Sequence, residues 1–202
     1  MKTESIIRTL EGMFININLC TVEDFKRVDT LVISRTDFDG SVLAVDYKDL
    51  LQFKNLFNLT LDGCMIDNEL IEILASIPSL RRLTIVNCDV LENIDKQFSR
   101  LNLYDLSIIN SEFNLALLDK SYKMVRLEAI PFTYFKGHCN RLDVSQCFID
   151  NVDELLKIDF DELSISNELY FRNQLKFDDS HKKIIVMEEN GQFILKKVGF
   201  DG

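Results

Sequence analysis

An internal repeat constrains this chain more than any other feature. Leu56-x-x-Leu59-x-Leu61-x-x-Cys64-x-Ile66 returns as Leu80-x-x-Leu83-x-Ile85-x-x-Cys88-x-Val90, and again as Leu103-x-x-Leu106-x-Ile108-x-x-Ser111-x-Phe113. Numbering the apolar places of this template 1, 4, 6, 9 and 11, it also fits Val28, Leu31, Ile33, Thr36 and Phe38, and Cys139, Leu142, Val144, Cys147 and Ile149. Weaker copies run through Met124, Leu127, Ala129, Phe132 and Tyr134, and through Phe160, Leu163, Ile165, Glu168 and Tyr170.

Positions 4 and 6 alternate with polar neighbours at period 2, as a strand buried on one face requires, and position 9 turns the chain inward where a small side chain can meet backbone groups. The returns between copies carry helical spacing: Leu70, Ile73, Leu74 and Ile77 after the second strand, Leu91, Ile94 and Phe98 after the third, Val152, Leu155 and Leu156 after the sixth. Pro78 follows the first of these, where a helix cannot continue. Each copy is therefore a short strand with a helical or single-turn return outside a parallel sheet.

The copies beginning at Leu56 and Leu80 resemble the leucine-rich-repeat family, whose pattern is L-x-x-L-x-L-x-x-N/C-x-L, and the resemblance covers residues 28 to 170. Starts at 28, 56, 80, 103, 124, 139 and 160 fall 15 to 28 residues apart, and only the interval of 15 lies outside the family's usual range. The segment Cys64-Met65-Ile66-Asp67 with its helical sequel is similar to the cysteine-containing repeats of F-box substrate receptors, and the later, shorter copies to bacterial or mixed types. The resemblance implies an α/β solenoid: a curved parallel sheet lining a concave face, with helices or turns on the convex one.

Repeat stacks need covered ends. Residues 1–27 read as an N-terminal cap, with Ile6, Ile7 and Leu10 on one face of a helix ended by Gly12 and a first strand over Phe14 to Leu19. Residues 181–202 read as a hairpin cap, since His181-x-x-Ile184-x-Val186 and Phe193 to Val198 flank a Glu189-Asn190-Gly191-Gln192 turn. No linker separates these caps from the repeats at 28–180, so one domain over 1–202 is expected.

Net charge of −10 with an isoelectric point near 4.7 opposes nucleic acid and anionic membrane surfaces, both of which select clustered Lys and Arg. The acidic stretch from Asp150 to Glu168 reads as a solvated face. The longest uncharged run, Gly12 to Val22, falls short of the roughly 18 apolar residues of a membrane span. Glu4 and Arg8 interrupt any signal-like apolar core, so a cytoplasmic, reducing setting is expected.

The five cysteines are explained by the repeat. Cys64, Cys88 and Cys147 occupy position 9, Cys139 position 1, and Cys20 position 11 of a degenerate cap copy, all places expected to face the core as small hydrophobes. Without a C-x-x-C pair no metal site is expected. His138 adjoins Cys139, but neighbours on a strand point to opposite faces and make a poor dyad. Asp37-Phe38-Asp39-Gly40 is out of register for a calcium loop and reads as a turn. No nucleotide-binding or hydrolase motif occurs, so neither a cofactor nor an enzyme is expected.

Positions 3, 5 and 7 of each copy then point away from the core. The first column reads Thr30, Asn58, Arg82, Asp105, Arg126, Arg141, Glu162; the second Val32, Thr60, Thr84, Ser107, Glu128, Asp143, Ser164; the third Ser34, Asp62, Val86, Ile109, Ile130, Ser145, Ser166. Val86, Ile109 and Ile130 make an expected aliphatic stripe beside Arg82, Arg126 and Arg141, the pattern of an interface core and its rim. With Thr84, Asp105, Ser107, Glu128 and Asp143 they form the candidate binding surface. The resemblance implies a non-catalytic, monomeric module that binds another protein through this concave face. The alternatives are a substrate-receptor adaptor of ubiquitin-ligase type, or a small effector enzyme using Arg126, Glu128 and Asp143.

Overall fold

In a computed structural model, residues 3–13, 19, 21–36, 40–91, 94, 98–180 and 182–187 are described, together with the backbone of 193–197. The protein is α/β with mostly parallel strands, and it forms two compact units, 1–103 and 104–202. No described helix is long and apolar enough to cross a membrane.

The first unit contains α1 (Glu4–Gly12), α2 (Val22–Lys26), β1 (Thr30–Ser34), a 3-10 turn (Tyr47–Gln52), β2 (Asn58–Asp62), β3 (Met65–Ile66), α3 (Asn68–Ala75), β4 (Arg82–Val86) and β5 (Asp89–Val90). The repeat spacing translates directly into register. β1, β2 and β4 run parallel, with Leu31 opposite Leu59, Leu59 opposite Leu83, and Leu61 opposite Ile85. β3 and β5 pair likewise, Ile66 with Val90. Template positions 4 and 6 are buried in all three long strands, while 3, 5 and 7 are half-buried or exposed.

α3 forms because Asp67 accepts a hydrogen bond from the Leu70 N–H at 2.8 Å, which satisfies an otherwise orphaned donor of the first turn. It buries Leu70, Ile71, Ile73 and Leu74. In α1, Ile6 and Leu10 are buried and Ile7 is half-buried. Thr3 anchors that helix: its N–H donates to Asp49 at 2.8 Å and its hydroxyl to the Asp46 carbonyl at 2.9 Å. Thr36 departs from the template, being exposed and bridged antiparallel to Val42. Residues 14 to 18 of the expected first strand, Cys20, Phe38 with the Asp37–Asp39 turn, and most of the helical return after Leu91 lie outside the described residues, while Leu19 stands exposed in a turn.

The second unit runs β6 (Asp105–Ile109), a 3-10 turn (Leu115–Leu117), β7 (Ser121–Pro131), β8 (His138–Phe148), α4 (Val152–Leu156), β9 (Asp159–Ser166), α5 (Asn167–Arg172), α6 (Gln174–Asp179), β10 (Lys183–Met187) and β11 (Phe193–Lys197). β6 through β10 are parallel neighbours in chain order. β11 turns back antiparallel on β10, with Ile184 opposite Lys197. The expected turn at Glu189–Gln192, His181 and Val198 lie outside the described residues. Gly137 crosses so close to the preceding loop that a Cβ there would sit 2.4 Å from the Lys120 carbonyl oxygen.

The fifth repeat copy is shifted from its expected place. Leu106 pairs with Val125 and Ile108 with Leu127, so the copy begins at Tyr122 rather than Met124. Its position 8 is Ala129, at φ 51°, in the left-handed region also taken by Gly63, Asn87 and Asn110 at position 8 of their copies. That backbone reversal turns the next residue inward, and Ile130 is 2% exposed. The last copy also differs: helix α5 starts at once after β9, leaving Glu168 exposed on it while Tyr170 is buried.

Candidate functional site

The outward face is built by the pleat, which sends alternate side chains to opposite sides of a strand. In the first unit it carries Arg82, Thr84 and Val86 of β4, beside Asn58, Thr60 and Asp62 of β2. The Arg82 guanidinium lies 5.6 Å from the centroid of the Phe57 ring, which shields its stem and leaves its charge at the surface. Asn87, at its left-handed turn, donates to Asp62 at 3.0 Å and ties the ends of two strands together.

In the second unit the observed register gives three outward columns. The first runs Asp105, Met124, Arg141, Glu162, Lys183; the second Ser107, Arg126, Asp143, Ser164, Ile185; the third sets Ile109 beside Glu128, is broken by a register shift that puts Glu128 opposite Gln146, and resumes with Ser166 opposite Met187. The expected aliphatic stripe is corrected here: the neighbour of Ile109 is Glu128, and Ile130 belongs to the core because of the reversal at Ala129.

What the strands do bring together is charge. Arg126 and Glu128, two residues apart on one strand, form an ion pair at 2.9 Å. Glu162 sits between two cations, Arg141 Nε at 3.5 Å and the Lys183 ammonium. Arg141 also donates through Nη2 to the buried Ser164 hydroxyl at 3.3 Å, while its Nε is buried without a hydrogen bond. Asp143, opposite Arg126 in the register, accepts from the Ser145 N–H and hydroxyl at 3.1 and 2.8 Å. Asp105, Ser107 and Ile109 stand half-buried on β6. Every cation in this patch sits beside a carboxylate, which orients the side chains into a fixed pattern of alternating sign.

Ser164 and Ile185 are outward by register yet buried, so the face closes over toward β10. Met124, Lys183, Ile185 and Met187 join the face although they were not among the expected site residues. Lys183 and Met187 were within reach of the sequence, because extending the template to Ile184 and Val186 places them at positions 3 and 7.

The cysteines are buried at Cys64, Cys88 and Cys139, and Cys147 is half-buried. Burial holds the Cys139 thiol up to about 12, with the Asp159 and Asp161 carboxylates adding to it. Burial likewise pushes Cys147 up to about 12, helped by Asp143 and Glu128 and opposed by a backbone hydrogen bond at Ile130. Such thiols are poor nucleophiles at neutral pH. His138 faces Asp159 at 3.1 Å and lies 4.0 Å from Asp161. Among the described residues no cluster of three or more His, Cys, Asp or Glu side chains could hold a metal ion.

No protein-family model and no curated protein matches the chain.

Proposed function

We propose that the chain is a leucine-rich-repeat solenoid that acts as a non-catalytic protein-binding module in the cytoplasm, using the outward face of its parallel strands. The repeat supports the family reading, since copies that agree in spacing also pair in register, Leu59 with Leu83 and Leu142 with Leu163. The observation that carries the functional reading is the ordered charge pattern of Arg126, Glu128, Arg141, Glu162 and Lys183 on adjacent outward columns. Charged groups arranged this way select a partner by complementarity and exclude wrong ones by like-charge contact. The net charge of −10 directs the choice toward proteins rather than nucleic acid.

The experiment is affinity capture from a cytosolic extract by the immobilised chain, compared among wild type, Arg126→Glu and Lys157→Glu. Lys157 lies exposed at the end of α4, on a return segment rather than an outward column. A protein held by wild type and by Lys157→Glu but released by a folded Arg126→Glu variant supports the reading. Release by Lys157→Glu alone places binding on the return side and overturns it.

A further inference from the structure

Beyond the charged columns, the second unit holds a groove of about 960 Å³ at the carboxyl ends of its strands. Its lining includes Ser145 of β8 together with Ser166 and Met187, which stand opposite each other at the end of the third outward column, so it adjoins the face described above. Ligand pockets span roughly 300 to 1,000 Å³, so this groove lies at the large end. Two phenylalanines from distant parts of the sequence line it, Phe148 and Phe171, 82% and 64% exposed. Two aromatic rings left largely in water in one groove forgo the stabilisation of burial, and such patches mark places where something docks.

The charge around the groove decides what that is. Asp150 and Glu168 line it, and the only cation among its lining residues, Arg172, is already paired to Glu168 at 2.6 Å. The thiol of Cys147, also in the lining, feels the carboxylates of Asp143 and Glu128. The groove thus combines apolar rings with a surplus of negative charge.

We infer that this groove docks a short peptide segment of a partner protein that pairs an aromatic or large aliphatic side chain with a lysine or arginine. The rings take the apolar side chain and Asp150 takes the cation. The inference rests on the protein-binding reading and assigns the partner's chemistry.

The test pans a randomised hexapeptide display library against the full chain, then measures the enriched peptides by fluorescence anisotropy. Enriched sequences are expected to combine an aromatic or large aliphatic residue with Lys or Arg. Phe148→Ser and Asp150→Lys, both at exposed positions, are each expected to weaken a peptide by about tenfold with the melting temperature unchanged, whereas Lys157→Glu on the return segment leaves it within about twofold. No enrichment, enrichment of acidic peptides, or equal affinity for Phe148→Ser overturns the inference. A dimer in sedimentation that Phe148→Ser dissolves also overturns it, by giving the groove to a second copy of this chain. If Arg126→Glu still releases the captured protein while the groove variants hold it, the groove assignment fails alone and the protein-binding reading stands. If neither set of variants releases it, both fail.

Discussion

Cys64 and Cys88 stand at the same place in successive repeat copies, and each thiol bonds the carbonyl two residues behind it, Asp62 at 3.5 Å and Val86 at 3.2 Å. The Cys88 thiol reaches back as well to the carbonyl of Leu61 on the neighbouring strand. A small side chain at position 9 thus adds a second hydrogen bond to carbonyls that already accept from the neighbouring copy, Asp62 from the Arg35 N–H and Val86 from the Gly63 N–H. Its hydrogen bonding with Cys64 and its burial hold the Cys88 proton well above the ordinary thiol range.

The buried thiols of Cys139 and Cys147 predict a loss of stability in alkali. Cys139 and Cys147 rise from 9.0 to about 12, and burial moves Tyr122 from 10.0 to about 12. A group with a higher folded than unfolded pKa keeps its proton in the native state while the unfolded chain ionises. Its contribution is complete below the unfolded value and is lost as pH rises toward the folded one. Urea unfolding at successive pH values should show stability falling between about pH 9 and 12, more shallowly in a Cys139→Ala, Cys147→Ala double variant. Identical slopes in both proteins would remove the thiols as the cause.

Ala129 holds a left-handed backbone at φ 51°, where Gly63 serves in the second copy. A Cβ in this region is unfavourable by roughly 1 to 2 kcal/mol, and glycine has no such penalty. Ala129→Gly is therefore expected to raise stability by about 1 kcal/mol, and Ala129→Val to lower it, both read as shifts in the urea midpoint with an unchanged slope.

Ile109 and Ile130 separate the observed register from the expected one. Ile109 is half-buried on the outward face and Ile130 is 2% exposed. Ile130→Glu should lower the melting temperature sharply, because an unpaired charge enters the core at a cost of several kcal/mol. Ile109→Glu should keep most of the stability, losing a little to the nearby Glu128 carboxylate. Equal melting temperatures for the two variants would restore the aliphatic stripe.

The strands and their buried places were legible in the spacing of Leu56, Leu59, Leu61 and Cys64, since a period of 2 over a repeated interval admits few other solutions. The return helix over Leu70, Ile73 and Leu74 was legible for the same reason at period 3.6. The fifth copy was not, because a slip of two residues keeps every alternate side chain on its own face. Leu127 fits position 4 or position 6 equally well by alternation, and only its pairing with Ile108 chooses. A missed signal lay at position 8, where Gly63, Asn87 and Asn110 are residue types that favour a left-handed turn.

The chain's own sequence thus determined that positions 4 and 6 of the copies from Leu56, Leu80 and Leu103 enter the core while their neighbours face outward, because both follow from local periodicity. The tertiary structure decided which copies stand in register, that Ile130 turns inward after Ala129, and that Glu162 lies between Arg141 and Lys183. It also brought Phe148 and Phe171 to one groove across 23 residues of sequence. Such contacts arise from the lateral stacking of strands, and alternation along a single strand carries no information about the neighbour it meets.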